Sequence, residues 1–372
     1  MWYDRRPWQH GLLEFAVFGK KSNLLGLALS LACLYLVFRK IDGARLWGAL
    51  ATLDGRFLVA AVAVFLTTFI VRTHRWQTLL APAQLVPRTR LLNVVMIGYM
   101  ANNVLPARLG EFVRAYVLSR QVGIRKSTTL ATIFIERIFD GLSLLFILGA
   151  LMVAHRLGFI SLQHPFPDSI RWAGVGAGLV FLLAFGGVLA LELVPGFGAL
   201  LEGLIERLAP AGLQPRLRGI LAAFVEGVAC MRSVRTLAVV FTCSLAVWSI
   251  EGLTYALVGQ AFHLELPLRA FFTTMVIVNL GTLIPSAPGF VGTVQLLCWI
   301  SLSLFAVSKE AAVSFGLVLN VLEYLPVTLI GVACLALENL SLRAVVGGTR
   351  EDGAPLASAA PAREGEPAQP LG

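Results

Sequence analysis

The chain has 372 residues, of which 57% are hydrophobic and only 14% charged, and its mean hydropathy is +0.80. This composition lies well outside the range of soluble globular proteins and indicates a polytopic membrane protein. The net charge of +9 does not indicate nucleic-acid binding, because the basic residues lie between apolar runs and not in one basic domain.

The apolar runs predict an all-α membrane protein with a membrane domain at 24–342. Residues 1–23 mix Trp and Tyr with Arg and Lys, as an interfacial segment does. An amphipathic stretch at 194–235 predicts a surface helix, and the Gly/Ala/Pro/Glu-rich residues 343–372 predict a disordered cytoplasmic tail. Six runs are candidate spanning helices, at 24–38, 57–74, 127–154, 172–193, 236–258 and 311–337.

Two further regions, 91–121 and 270–307, are apolar on both sides of a centre rich in Pro and Gly. The first apolar run covers only about half of a bilayer. Broken backbone at membrane depth is tolerated only where it is buried in protein or lines a wet cavity. We therefore predict two re-entrant helical hairpins, although the first region could also be an ordinary cytoplasmic loop. The predicted breaks are Pro106, Gly110, Pro285, Pro288, Gly289 and Gly292.

The two hairpin regions resemble each other. An offset of 179 residues lays Leu85 on Leu264, Arg90 on Arg269, Met96 on Met275, Pro106 on Pro285 and Gly110 on Gly289. Each half, at about 24–155 and 172–338, would then hold three spanning helices and one hairpin. Because three is odd, the second half must be inverted, an architecture typical of secondary transporters. The alternative is a chance similarity between apolar segments.

The basic residues favour cytoplasmic N- and C-termini. With the N-terminus inside, 21 Lys and Arg residues lie on the cytoplasmic side and eight on the outer side, while Arg137 lies within a helix. Lys and Arg concentrate on the cytoplasmic side of membrane proteins. The loop at 39–56 fits this rule least well, since it holds four of the eight outer residues.

Charged residues at membrane depth mark a pathway or a binding site. Glu136 and Asp140 project from one helical face, so they require an arginine partner, for which Arg108, Arg114 and Arg137 are the candidates. Arg72 and Arg75 are placed at the cytoplasmic end of the second helix. An arginine beside a hairpin break can grip a phosphate with two parallel hydrogen bonds. The alternative is a charge network that only locks helices together.

From this we predict two sets of functional residues and no catalytic ones. The predicted substrate-binding residues are Arg108, Arg114, Asn102, Asn103, Glu111 and Arg137, and the predicted coupling or network residues are Glu136, Asp140, Glu251 and Glu323. Glu251 and Glu323 could carry protons or could simply bond neighbouring helices. No cofactor or metal site is predicted, because the five cysteines and five histidines are dispersed.

The motifs resemble those of the lysylphosphatidylglycerol synthase transmembrane-region family, also called flippase-like membrane proteins, from about residue 20 to 340. The likeness rests on Asn102-Asn-x-x-Pro-Ala-Arg108-x-Gly-Glu111-x-x-Arg114, then Glu136-Arg137-x-x-Asp140, then Pro285-x-x-Pro288-Gly289-x-x-Gly292. Phe290 and Gln295 depart from the commoner third motif, where Gly and Glu often stand. An acid-dependent role of the second hairpin is therefore in doubt.

The resemblance implies a protein of a prokaryotic inner membrane that moves or presents a phospholipid or a polyisoprenyl-linked sugar. Members that aminoacylate lipids carry a large catalytic domain after the membrane part, and only about 30 tail-like residues follow here. We therefore do not expect aminoacyl transfer by this chain alone. The leading hypothesis is a lipid flippase or transporter. The second is an accessory protein that presents a lipid-linked sugar to a separate glycosyltransferase, and the third is a membrane transferase.

Overall fold

A computed structural model describes residues 31–37, 39, 41–105, 109–157, 168–210, 212–228, 233–282 and 288–338, and no strand occurs in these ranges. The predicted interfacial segment and the predicted tail lie outside the described residues. So do Pro106, Arg108 and Pro285, which the sequence places at the centres of the two hairpins.

The described ranges contain twelve α-helices that we number in chain order, together with a helical stretch at 31–37 and a 3-10 turn at Pro288–Phe290. They are α1 Gly43–Ala51, α2 Gly55–Leu80, α3 Arg88–Val104, α4 Gly110–Val122, α5 Lys126–Arg156, α6 Asp168–Leu193, α7 Phe197–Leu208, α8 Gln214–Val228, α9 Val234–Ala261, α10 Leu268–Gly281, α11 Thr293–Ser303 and α12 Lys309–Leu337.

Five helices within the described ranges, α2, α5, α6, α9 and α12, are long and apolar enough to cross a membrane. They correspond to five of the six predicted spans. The sixth, at 24–38, is described only at residues 31–37, which are helical. The predicted end of the second span was wrong, because α2 continues to Leu80. Arg72 and Arg75 are therefore not at the helix end but inside α2, roughly 12 and 8 Å from it, and both are buried.

The two regions with Pro/Gly-rich centres form pairs of short helices, α3 with α4 and α10 with α11. At about 1.5 Å per residue these helices are roughly 17 to 26 Å long, so none spans the hydrocarbon core of about 30 Å by itself. The members of each pair pack against each other in antiparallel fashion, with Gly98 beside Arg114 and Gly281 beside Leu297. Their entry into the membrane from one side stays a prediction.

The helices repeat at the predicted offset. Moving α2, α3, α4 and α5 by 179 residues lays them on α9, α10, α11 and α12 in the same order. The packing repeats as well, since α3 contacts α12 as α10 contacts α5. The central pair α2 and α9 runs antiparallel, as contacts of Asp54 with Ala261 and of Arg75 with Ser244 show. An inverted repeat requires this direction, and the inverted repeat itself remains our proposal.

Between the two sets of helices lie α6, α7 and α8. The sequence predicts one amphipathic helix in 194–235, whereas the structure has two, α7 ending at Leu208 and α8 beginning at Gln214. No side chain of α7 is buried. Phe224 of α8 packs edge-on against Phe134 of α5, with ring centroids 5.6 Å apart. Helix α8 therefore lies against α5, close to the charged residues of that helix.

Candidate functional site

Arg75 lies at the centre of a buried charge network. Its guanidinium donates to both carboxylate oxygens of Asp140, at 2.5 and 3.3 Å, and to Glu136 at 3.3 Å. It also donates to the hydroxyl of Ser244 on α9 at 2.7 Å. The Arg75 side chain has no exposed surface. Arg75 thus pairs with both carboxylates of α5 that the sequence places on one face.

Arg114 carries the network into the first hairpin. Its Nη1 lies 3.0 Å from Oε2 of Glu136, and its guanidinium stacks over the ring of Trp76 at 4.1 Å. Trp76 is in turn fixed by a hydrogen bond of 3.1 Å from its indole nitrogen to Thr132. Because Arg114 pairs with Glu136 and 97% of its side chain is buried, it positions Glu136 and the start of α4.

Arg72 links the two sets of repeated helices. It donates to Glu251 of α9 at 3.1 Å and to the hydroxyl of Tyr99 at 2.9 Å. Its guanidinium also lies over the rings of Tyr99 and Trp248, at 5.3 and 5.4 Å. Arg72 and Glu251 are separated by 179 residues, so the bond joins equivalent positions of the repeat.

The accessible end of the network is formed by Arg137 and Glu111. Their side chains are 30% and 27% exposed, whereas Arg75, Arg114 and Glu136 are at most 3% exposed. Nη2 of Arg137 binds Asp140 at 3.2 Å and the hydroxyl of Tyr99 at 3.4 Å. Its Nε lies 3.8 Å from Glu111, which is too long for a hydrogen bond. This end is therefore the most open to exchange of partners.

The network is electrically balanced among the described residues. Its ion pairs join four arginines with four carboxylates, namely Arg72, Arg75, Arg114 and Arg137 with Glu111, Glu136, Asp140 and Glu251. An incoming anion must therefore displace a carboxylate from its arginine, or bind when a carboxylate has taken up a proton. Arg137 lies roughly 16 Å along α5 from its first residue, about a third of the way along this helix of 31 residues.

The two asparagines of the first hairpin make hydrogen bonds within the protein. Oδ1 of Asn102 accepts from the backbone nitrogen of Gly110 at 2.8 Å, which closes the two helices of the hairpin. Nδ2 of Asn103 donates to the carbonyl of Tyr324 and the hydroxyl of Thr328, at 3.2 and 3.0 Å. Asn103 thus ties α3 to α12. The substrate contacts that we predicted for both amides stay predictions.

The backbone just before α11, in the second hairpin, is held by polar contacts. Oε1 of Gln295 accepts from the backbone nitrogen of Gly292 at 2.6 Å, at the start of α11. Gly289 and Gly292 have φ of +71° and +88°, a backbone conformation that favours glycine. Asn320 of α12 donates to the carbonyl of Gly289 at 2.7 Å. Gln295, which the resemblance marks as a departure from a more common Glu, therefore caps the start of α11.

The second half has uncharged residues at three positions equivalent to those of the charge network. An offset of 179 places Phe315 at the position of Glu136, Leu319 at that of Asp140 and Thr293 at that of Arg114. Phe315 packs with Tyr255, Phe262 and Phe271, at centroid distances of 6.1, 6.2 and 6.3 Å. An aromatic cluster thus occupies the place that the charge network has in the first half.

The structure brings together most of the described residues of the predicted site. Glu111, Arg114, Glu136, Arg137 and Asp140 form one cluster, with Glu251 joined to it through Arg72. Arg75 is the central residue that the sequence reasoning missed as a partner of the carboxylates, because it assigned Arg72 and Arg75 to a helix end. Their spacing of three within a largely apolar helix was the available signal.

Comparison with known proteins shows which proteins this chain is similar to. A glycosyltransferase, AglD, of Haloferax volcanii is 22% identical over 92% of this chain, and the match covers 58% of that protein's length. Two UPF0104 membrane proteins also match: one of Methanocaldococcus jannaschii, 25% identical over 62% of this chain and 90% of its own, and one of Methanothermobacter thermautotrophicus, 23% identical over 77% and 87%. No solved structure matches the chain.

The strongest evidence for identity is a match over most of the chain. The lysylphosphatidylglycerol synthase transmembrane region matches residues 23–331, a range that contains both hairpins and the whole charge network. The sequence motifs, the helical membrane architecture and the UPF0104 relatives agree with this match. The chain therefore belongs to the lysylphosphatidylglycerol synthase transmembrane-region family.

Proposed function

We propose that this protein is a lipid flippase or transporter that binds the anionic headgroup of a membrane lipid at Arg137. The observation that carries the proposal is the accessible pair Arg137 and Glu111 at the end of a buried network, beside the first hairpin. Arg137 keeps one end of its guanidinium on Asp140, while its Nε has no hydrogen-bond partner among the described residues. A charge at such a depth is expensive and by default functional.

The charge balance suggests how a headgroup binds. Glu111 holds Arg137 only at 3.8 Å, so a phosphate that approaches Arg137 can take its place. The planar guanidinium matches a phosphate with two parallel hydrogen bonds. Arg75 binds Asp140, and Asp140 binds Arg137. The guanidinium of Arg137 is therefore already oriented when the ligand arrives. Arg108, which lies outside the described residues, stays a predicted headgroup ligand, as does Arg114.

A liposome assay tests this proposal. Purified protein is reconstituted with fluorescent phosphatidylglycerol, cardiolipin, phosphatidylcholine or a polyisoprenyl phosphate, and the labelled fraction accessible to an external quencher is followed over time. We expect faster exchange of at least one anionic lipid. Arg137→Lys should lose roughly tenfold or more of this rate, because a charged hydrogen bond contributes about 1.5–3 kcal/mol. Glu111→Gln should lower the lipid concentration needed for half-maximal rate.

The matched control is Arg218→Lys. Arg218 also pairs with a glutamate, Glu206, but the pair lies on the surface helices α7 and α8, so its replacement should leave the rate unchanged. If every lipid exchanges at the same rate in liposomes with wild-type protein as in empty liposomes, the proposal is wrong.

We place the protein in a prokaryotic inner membrane with both termini in the cytoplasm. The excess of basic residues on the predicted inner side supports this orientation.

A second candidate function is supported by the name of one relative. The Haloferax volcanii protein is called a glycosyltransferase and matches 92% of this chain over 58% of its own length. The equivalent role here is presentation of a polyisoprenyl-linked sugar to a separate glycosyltransferase. It predicts saturable binding of the lipid-linked sugar, lost in Arg137→Lys, without movement between leaflets. Binding together with exchange favours the flippase instead.

A further inference from the structure

The hydroxyl of Tyr99 lies between two arginines, at the boundary between the buried part of the charge network and its accessible end. It accepts a hydrogen bond from Nη1 of Arg72 at 2.9 Å and a longer one from Nη2 of Arg137 at 3.4 Å. Arg72 is buried and Arg137 is partly exposed, while Tyr99 itself is half-buried. The ring of Tyr99 packs edge-on against Phe69 at a centroid distance of 5.1 Å. The hydroxyl is therefore held in place beside the proposed headgroup site.

The hydrogen of this hydroxyl is not used by the described part of the protein. A guanidinium carries only N–H donors, so the oxygen of Tyr99 is the acceptor in both bonds. No acceptor for the hydroxyl hydrogen occurs among the described residues. Two bonds donated to one oxygen polarise its O–H group and make it a stronger donor. Tyr99 can therefore donate to an oxygen atom that comes from outside the protein.

The position of Glu111 shows where a ligand oxygen arrives. Nε and Nη2 form one edge of the Arg137 guanidinium, on which two parallel hydrogen bonds to a phosphate can form. Glu111 faces the Nε end of this edge at 3.8 Å, and the Tyr99 hydroxyl borders the Nη2 end at 3.4 Å. Both contacts are long. A phosphate that displaces Glu111 from this edge therefore comes next to the hydroxyl of Tyr99.

We propose that Tyr99 is a headgroup ligand, which donates its hydroxyl hydrogen to an ionised phosphate oxygen of the lipid that Arg137 binds. This inference rests on the proposed headgroup site. The hydroxyl adds a donor without adding a charge, so the balance between the arginines and carboxylates of the network does not change. The substrate class is accordingly a lipid with an ionised phosphate, which receives hydrogen bonds from Arg137 and Tyr99 together.

Binding of a soluble lipid tests the contact without any transport measurement. The probes are dihexanoylphosphatidylglycerol, which has an ionised phosphate, and its phosphate methyl ester, which is uncharged. Tyr99→Phe removes only the hydroxyl and keeps the ring beside Phe69, so the variant should fold. We expect its Kd for the ionised probe to rise about tenfold, as for loss of a hydrogen bond to a charged group. Its Kd for the methyl ester should change clearly less.

The matched control is Tyr116→Phe on α4. The ring of Tyr116 lies 4.8 Å from Nζ of Lys126, a contact that phenylalanine retains, so both Kd values should stay as in wild type. A second measurement does not depend on the folding of Tyr99→Phe. The fluorine NMR signal of 3-fluorotyrosine at position 99, next to the intact hydroxyl, should shift on saturation with the ionised probe. The same label at position 116 should not shift.

The outcomes separate this inference from the proposals on which it rests. An unchanged Kd in Tyr99→Phe, an equal rise for both probes, or no fluorine shift at position 99 overturns the role of Tyr99. If Arg137→Lys loses binding in the same experiment, the headgroup site remains. Absence of binding of the ionised probe to wild type overturns the headgroup site and the role of Tyr99 together. Binding that depends on Tyr99, without exchange in liposomes, confirms the contact and overturns the flippase.

Discussion

Arg75 is the residue on which the stability of the network depends most. Replacement by alanine leaves Asp140 and Glu136 with fewer partners at full burial, and removal of one member of a buried ion pair costs about 3–5 kcal/mol. We expect a large fall in the melting temperature of Arg75→Ala in detergent. Arg75→Ala combined with Asp140→Ala should recover part of it, because Glu136 retains Arg114.

The control for Arg75 lies on the same helix. Arg56 pairs with Asp54 at 2.9 Å, but 90% of the Arg56 side chain is exposed, so Arg56→Ala should change the melting temperature little. If Arg56→Ala and Arg75→Ala destabilise equally, or if the double variant with Asp140→Ala is worse than the single one, the network does not stabilise the fold as argued here.

The charged residues show what sequence reasoning reaches and where it ends. The spacing of Glu136 and Asp140 predicts a shared face and an arginine partner, and the structure supplies Arg114 and Arg137. The spacing cannot show that Arg75 binds both carboxylates, because the position of Arg75 depends on how α2 packs against α5 and α9. The sequence also cannot show that Asn102 closes the hairpin, because Gly110 reaches Asn102 only once the chain has folded back.

At the scale of the helices, close approach of α3 and α4 requires glycine at position 110. A Cβ there would lie 1.9 Å from the carbonyl oxygen of Gly98, and neither backbone can yield without moving a helix. We expect Gly110→Ala to cost about 1–3 kcal/mol of stability through overpacking. Gly149→Ala on α5 is the control, since nothing lies within 4 Å of its Cβ position. Similar melting temperatures for both variants would contradict the tight hairpin.

The helices themselves were predictable to different degrees. Long apolar runs locate α5, α6, α9 and α12 well, because about 20 apolar residues have few alternatives to a spanning helix. The end of α2 was misplaced since Arg72 and Arg75 look like interfacial residues until their buried partners are known. The amphipathic pattern of 194–235 does not reveal that α7 ends at Leu208, because the pattern continues into α8.

For the whole molecule, an inverted repeat predicts opposite exposure of two equivalent loops. The loop between α2 and α3 contains Gln84, and the loop between α9 and α10 contains Glu265. The offset of 179 places Gln84 on position 263, two residues before Glu265. Both side chains are exposed. In a cysteine-free background, Gln84→Cys should react with an impermeant thiol reagent only from the cytoplasmic side, and Glu265→Cys only from outside. Both should react after detergent treatment, and labelling from one shared side would falsify the inverted arrangement.

The bond between Arg72 and Glu251 offers a test of the repeat from inside the protein. The two residues are equivalent under the offset of 179 and contact each other, so they lie close to the proposed twofold axis. If the two residues are exchanged, the same ion pair forms with its charges in reverse order. Arg72→Glu alone leaves two buried carboxylates, and Glu251→Arg alone leaves two guanidinium groups. Each single variant should lose about 3–5 kcal/mol of stability.

The exchanged variant, Arg72→Glu with Glu251→Arg, should recover most of the melting temperature that the single variants lose. Recovery should stop short of wild type, because Tyr99 and Trp248, which contact the guanidinium of Arg72, are replaced at the equivalent positions by Val278 and Phe69. Val278 cannot accept the hydrogen bond that Tyr99 accepts. A double variant no more stable than the single ones would show that the two positions are not interchangeable and that the pair does not lie on an axis of the fold.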